Sequence, residues 1–179
     1  MRTTDDVKGS PASPTNADGK TAVALVVAFE GKRDLLEVRV ASDITVSGFA
    51  KLVADTVHAN GSFSVFLENG NKPLDDELLL LPQLPSGFTV LHVGRNDEIK
   101  VTFHFNGRDV VKAFKPSSTI RSLTVWVVGP DGFNLEGTDS DYQLKHDGTV
   151  LEPDLHLGQI AHSLKEINLD LVLKVKAQG

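Results

Sequence analysis

The feature that most constrains the fold of this chain is an internal duplication that begins at residue 22. The first copy opens with AVALVVAFEGKRDLLEVRVASDI and the second with EIKVTFHFNGRDVVKAFKPSSTI. Two landmarks keep one spacing, since Gly31 and Gly107 are as far apart as Ile44 and Ile120. A fixed offset across separate landmarks indicates a repeated structural unit. Each unit must therefore build the same small architecture with its own core.

Each copy opens with alternating apolar residues, then a short polar turn carrying glycine, then a second strand, which is the pattern of a hairpin. The first strands are marked by Val23, Leu25, Val27 and Phe29, and by Ile99, Val101, Phe103 and Phe105. The second strand of the first copy has one apolar face, made by Leu36, Val38 and Val40. In the second copy the inward face stays open, because Val110, Lys112 and Phe114 compete with Val111 and Ala113.

A helix follows each hairpin. Its apolar residues recur at helical spacing, as Phe49, Leu52, Val53 and Val57 and then as Ile120, Leu123 and Val127. Ser42 or Asp43 is a candidate N-cap of the first helix, and Ser117, Ser118 or Thr119 of the second. Trp126, on the second helix, is predicted to pack in the core or at a domain interface.

Short strands complete each copy, and the last ones alternate through Phe88, Val90 and His92, and through Leu169, Leu171 and Leu173. Strands packed back across one helix predict an α+β fold, and the duplication predicts two such domains in tandem. We assign a flexible N-terminal arm to 1–20, a first domain to 21–94, a linker to 95–97, a second domain to 98–176 and a tail to 177–179. The arm is rich in Ser, Thr, Pro, Asp and Gly and lacks apolar periodicity.

Composition excludes several classes of function. The chain has no cysteine, which removes disulfides, thiolate nucleophiles and zinc–sulfur sites, and any thioester chemistry would need a partner's sulfur. Its net charge of −6 argues against a nucleic-acid binder. No apolar run is long enough for a membrane span, and the first residues lack the apolar core of a secretory signal, so the predicted location is the cytoplasm.

An active site within the chain is also hard to assemble. No two histidines form an i, i+4 metal-binding pair on a helix, and His92 and His104 fall in strands, where structural roles are expected. The acidic segment 131–141 lacks the alternation of a calcium loop. We therefore predict no catalytic residue, no metal and no bound cofactor.

The segment LKHDGTVLEPDLHLGQIAHSLKEINLDLVLKVK resembles the second half of ubiquitin in residue pattern and spacing. The stretch from Gly107 to Ile120 is similar in length to the ubiquitin hairpin and helix entry. Residues 22–177 as a whole resemble two tandem ubiquitin-like β-grasp domains, of which the first is degenerate. The arrangement is similar to the bacterial two-domain modifiers of Bil antiphage conjugation operons, counterparts of the vertebrate interferon-induced tandem modifier.

This resemblance implies a protein modifier that acts in antiphage defence. In such a modifier an activating enzyme adenylates the C-terminal carboxylate with ATP, and a conjugating enzyme receives it as a thioester. The modifier is finally linked to an amine of a target protein, and a deconjugating metalloprotease exposes or frees the C-terminus. The resemblance assigns conjugation to Gly179.

The tail departs from ubiquitin, because Lys176-Ala177-Gln178-Gly179 stands where ubiquitin has an arginine and two glycines. Glycine at the reacting end allows close backbone approach inside a narrow active site. Lys174 and Lys176 can position the tail through charge pairs, or they can be the solvated face of an edge strand. The central isoleucine of the ubiquitin recognition patch aligns with Lys145, whereas Val172 keeps another position, so ordinary ubiquitin-binding partners are not expected. An alternative is a non-conjugated tandem scaffold, which would tolerate loss of the last three residues.

Overall fold

The computed structural model of the chain describes residues 21–87, 89–95, 97–162 and 164–175. Within these ranges the strands form two mixed sheets, and a helix packs on each of them. This arrangement confirms the predicted α+β class with two tandem β-grasp domains. The first sheet ends at Gly94 and the second begins at Ile99. The predicted arm at 1–20 and the predicted tail at 177–179 lie outside the described residues.

The first domain places two parallel strands at the centre of its sheet. The strand order is β2-β1-β4-β3, in which β1 and β4 run parallel and the outer pairs are antiparallel. Its elements are β1 (Ala22–Phe29), β2 (Leu36–Ala41), α1 (Val46–Thr56), β3 (Ser64–Leu67) and β4 (Val90–Gly94), with a 3-10 turn at Leu81–Gln83. Val27 and Phe29 meet Phe49 and Val53 of α1 in a core from which water is almost fully excluded.

The second domain repeats this plan with one more strand, in the order β6-β5-β9-β7-β8. Its elements are β5 (Ile99–Phe105), β6 (Arg108–Phe114), α2 (Ile120–Val128), β7 (Tyr142–His146), β8 (Thr149–Val150), α3 (Leu157–Ala161) and β9 (Glu166–Leu173), with a 3-10 turn at Asp139–Asp141. The β5–β6 turn is made by Asn106 and Gly107, both at positive φ. Two consecutive left-handed residues match the twist of a hairpin, which is why Asn-Gly suits this position.

Both main helices are capped by a threonine. Thr45 accepts a hydrogen bond from the amide of Gly48 at the start of α1, and Thr119 accepts one from Ser122 at the start of α2. The expected cap at Ser42 or Asp43 is wrong, because α1 begins only at Val46. Of the candidates for the second helix, Thr119 is the cap.

The open choice in β6 is resolved in favour of Val110, Lys112 and Phe114, which face the helix. The Lys112 ammonium lies 4.5 Å from the ring centre of Trp126 and 5.2 Å from that of Phe114. A cation over aromatic faces is stabilised by the ring quadrupole, so a lysine can occupy the edge of an apolar face. Trp126 itself packs on the core of the second domain, as predicted.

In β4 the predicted inward face is wrong. Leu91 and Val93 are the residues that pack into the core of the first domain, whereas His92 lies on the opposite face of the sheet. Phe88 lies outside the described residues. His92 is nevertheless fully buried, because the second domain covers the outer face of the first sheet at this point.

Candidate functional site

The candidate site begins on β9, the strand that leads to the C-terminus. β9 is a central strand, parallel to β5 on one side and antiparallel to β7 on the other. Leu169 and Leu171 point into the core and are almost fully buried. Lys174 and Lys176 both follow β9 in the chain, so the interpretation of these lysines as protection of a sheet edge stays a prediction.

The apolar side chains leave the core where β9 ends. Leu173 is 60% exposed and Val175 is 94% exposed, whereas Leu171 is only 3% exposed. Leu173 is still paired with Tyr142, and the amide of Lys174 donates a hydrogen bond of 2.8 Å to the carbonyl of Asp141. The strand is thus fixed up to Lys174, and the side chain that follows it projects into solvent.

The C-terminal end of β9 is held by an ordered turn. Tyr142 donates its hydroxyl to the carbonyl of Glu136 at 3.1 Å, and Thr138 forms a capping box with Asp141. These contacts fix the partner strand β7 at the point where β9 ends. The exit direction of the chain is therefore set by residues 136–142 as well as by β9 itself.

The structure places two of the predicted site residues. Val172 is half-buried on the outer face of the sheet, opposite Gln143, and Lys174 is exposed just past the end of β9. Lys176, Ala177, Gln178 and Gly179 lie outside the described residues, so their assigned roles remain predictions.

Across the outer face of the second sheet, four polar residues stand in one row. Register places Asp109 opposite His104, His104 opposite Asp170, and Asp170 opposite Lys145. His104 Nδ1 lies 2.6 Å from Asp109 Oδ1. This hydrogen bond, with the nearby charges of Asp109 and Asp170 and a hydrogen bond to Asn168, raises the pKa of His104 above its ordinary value.

The sequence interpretation missed this row, although the signal was present. A two-residue turn at Asn106-Gly107 sets His104 and Asp109 directly across the hairpin from each other. Lys145 completes the row at the strand beyond β9. The outer face of the second sheet is consequently polar where this row crosses β9 at Asp170.

Among the described residues, no group of three or more His, Asp or Glu side chains is arranged to hold a metal ion. No helix in the same ranges has both the length and the apolar character needed to cross a bilayer.

Comparison with family models supports the class of the second domain. Residues 100–174 match the family model for BilA ubiquitin-like domain 2. A search of the curated proteins found no match. Among solved structures, ubiquitin from Caldiarchaeum subterraneum is similar at 12% identity and a TM-score of 0.37, over 45% of this chain and 99% of that one. The second domain is thus similar to the second ubiquitin-like domain of BilA.

Proposed function

We propose that this chain is a ubiquitin-like modifier of the Bil type, activated at Gly179 and joined to amines of target proteins. The observation that carries the proposal is the end of β9, where a strand anchored in the core continues into exposed residues within the segment that matches the Bil family. A central strand gives the tail a rigid base. Extended chain rises about 3.3 Å per residue, so a few residues past Val175 reach the bottom of a partner's cleft.

The chemistry takes place on partner enzymes. The Gly179 carboxylate attacks the α-phosphorus of ATP and releases pyrophosphate, giving an acyl-adenylate in the activating enzyme. A partner cysteine thiolate then attacks the acyl carbon and AMP leaves, which forms the thioester. After transfer to a conjugating enzyme, a target amine displaces the thiolate and forms an amide. This chain is the substrate and the tag in each step, and it contributes no catalytic group.

Lys174 has a defined role in this proposal. It is exposed and lies at the last fixed position before the tail, after an outer sheet face on which Asp170 and Lys145 stand opposite each other in register. A cation there can pair with an acidic group at the mouth of the activating enzyme's cleft. Val172 offers a half-buried apolar contact on the same side. A role in antiphage defence within the cytoplasm, and release by a metalloprotease, complete the proposal.

The test is reconstitution with ATP and the cognate activating and conjugating enzymes. The wild-type chain is expected to form an adduct that thiol reagents remove, followed by heavier adducts that resist them. Deletion of Gly179 should abolish both, and Lys174→Ala should slow thioester formation. Lys165→Ala is a matched control, because Lys165 is an exposed lysine that precedes β9. Equal reactivity of wild type and the Gly179 deletion would falsify the proposal.

A second candidate is the non-conjugated scaffold, which is favoured by the closely packed contact between the two domains. Hydrogen bonds such as that from the Gly31 amide to the Gly158 carbonyl, 3.0 Å, join them directly. A scaffold needs a fixed geometry but not the tail. It predicts that a chain ending at Lys176 retains full partner binding.

A further inference from the structure

The outer face of the first sheet is closed by the second domain. Phe66, His92 and Ala28 form one cross-strand row on this face, and each is fully buried. The Asn69 amide donates to the Ser117 carbonyl at 2.9 Å, and the Ser117 hydroxyl donates to the Gly70 carbonyl at 2.8 Å. We call this contact the interdomain joint: the Phe66–His92–Ala28 row with the loops beside it, against the β6–α2 loop and α3.

Side chains hold the joint on both flanks. Gln159 donates to the carbonyls of Lys32 and Arg33, at 2.9 Å each, while its Oε1 accepts from the His156 amide. On the other flank the Asn69 side chain accepts hydrogen bonds from the amide and the hydroxyl of Thr119. The bond between the His156 amide and Gln159 lies within the second domain, and each of the others joins one domain to the other. The two domains therefore separate only if these interdomain bonds break together.

A pair of histidines lies at the centre of the joint. Nδ1 of His92 lies 3.1 Å from Nδ1 of His156, and both side chains are fully buried. This distance fits one shared proton, donated by one ring and accepted by the other. If both Nδ1 atoms carried protons, two N–H groups would point at each other. The Nε2 atom of each ring has no hydrogen-bond partner among the described residues.

The His92 ring has little room to move. A Cβ built on Gly158 would lie 2.7 Å from His92 Cε1 and Nε2, which shows how closely α3 approaches this ring. A doubly protonated pair can therefore be accommodated only by separating the two domains. On separation both rings reach water, where each can hold its own proton.

Charged and titratable groups around the pair are few. Glu68 Oε1 lies 3.8 Å from His156 Nε2, and it favours the protonated ring. Glu30 is engaged by Arg95 at 2.8 Å, and His162 lies next to Gly31. Even with Glu68 nearby, burial lowers the pKa of His156 to about 4. Burial and the neighbouring His156 lower the pKa of His92 well below 6.5.

We propose that protonation of the His92–His156 pair opens the interdomain joint and thereby exposes the outer face of the first sheet. The inference does not depend on conjugation through Gly179. Its sign follows from linkage, because the closed joint binds fewer protons than the open one. Closure is therefore complete above a pH of about 6.5, the ordinary histidine pKa, and is lost as the pH falls below it. His156 alone shifts the equilibrium toward the open form roughly 20-fold between pH 7 and pH 5.

Hydrogen exchange of single amides measures this opening even when the open form is rare. The amides of Gly31 and Asn69 bond across the joint, whereas those of Phe49 and Leu123 bond within α1 and α2. We expect the protection factors of the two joint amides to fall roughly 20-fold or more from pH 7 to pH 5, after correction for intrinsic rates. The two helix amides should keep theirs. Unchanged protection factors of the two joint amides, or an equal loss of protection at all four amides, would overturn the proposal.

Variants identify the titrating groups. Asparagine places a polar atom near the histidine Nδ1 position but takes up no proton, so His92→Asn with His156→Asn should make joint protection independent of pH. His104→Asn, on the outer face of the other sheet, is the control and should leave the fall intact. A fall that persists in the double variant contradicts the proposal.

If the double variant is already open at pH 7, ring resonances of the wild-type histidines decide. They must titrate only in the pH interval in which the joint amides lose protection. Rings that titrate while the joint amides remain protected would overturn the proposal.

Discussion

Substitution of Gly158 by alanine tests the closeness of the interdomain joint. The new Cβ would lie 2.7 Å from His92 Cε1 and Nε2 and 2.9 Å from Pro116 Cβ, all nearer than ordinary van der Waals contact. The His92 ring cannot retreat, because it is fully buried and bonded to His156. The joint must therefore loosen to admit one methyl group.

Two effects of opposite sign set the magnitude. Gly158 is within α3, and replacing a helical glycine with alanine stabilises by roughly 0.5–1 kcal/mol. Inserting a methyl group into a filled site costs about 1–3 kcal/mol. Because three rigid atoms are in conflict, overpacking should dominate, and we expect a net loss of about 1–2 kcal/mol in the free energy of unfolding.

Urea unfolding gives the free energies, and Gly48→Ala is the matched control. Gly48 is also helical, but its Cβ would meet only the Thr45 hydroxyl at 3.1 Å and an Ile44 carbon at 3.5 Å. A partly exposed hydroxyl can move by a few tenths of an ångström, so this variant should be neutral or slightly stabilised. A Gly158→Ala variant as stable as Gly48→Ala would show that the joint is not closely packed at this ring.

Three further substitutions probe other contacts. Thr119→Ala should lower the free energy of unfolding in urea by about 1 kcal/mol more than Thr45→Ala does. Thr119 caps a helix and also donates across the joint, whereas the Thr45 hydroxyl bonds only within its own domain among the described residues. Equal losses would contradict this. Asp109→Asn should lower the pKa of His104 in an NMR titration. Because that pKa is raised in the folded chain, the His104–Asp109 pair stabilises the fold fully below a pH of about 6.5, and this stabilisation is lost as the pH rises through the raised value. The free energy of unfolding of the variant should therefore fall less than that of the wild type above pH 6.5. An unchanged titration of His104 would rule the pair out. Phe49→Ala removes a fully buried ring from the first domain, at a cost of about 3–5 kcal/mol. If the joint couples the two domains, the unfolding transition followed by fluorescence of the only tryptophan, which lies in the second domain, should shift to a lower urea concentration. No shift would mean that the domains unfold independently.

The local pattern of the sequence was sufficient for the repeated elements. Alternation in β1 and β5 and the turn at Gly107 depend on neighbours in the chain, so periodicity and turn chemistry predict them. The inward face of β6 could not be predicted in this way. It depends on Trp126, which brings an aromatic ring to Lys112 from a helix formed later in the chain.

Tertiary packing decided the remainder. His92 alternates with apolar residues in β4, and the sequence does not say that its face of the sheet is covered by another domain. Only docking brings His156 within 3.1 Å of it, from a segment 64 residues away. The cap at Thr45 was missed for a local reason, because α1 starts after Asp43 and Ile44 have completed a turn.

The most direct test of the central claim is mass spectrometry of target proteins after reaction with the chain, its partner enzymes and ATP. Trypsin cleaves after Lys176, so conjugation through Gly179 should leave an Ala177-Gln178-Gly179 remnant on a target lysine. Conjugation through Gly179 predicts target peptides that carry this remnant, and none when Gly179 is deleted. Active enzymes that leave every target unmodified, with the Gly179 carboxylate free, would contradict it.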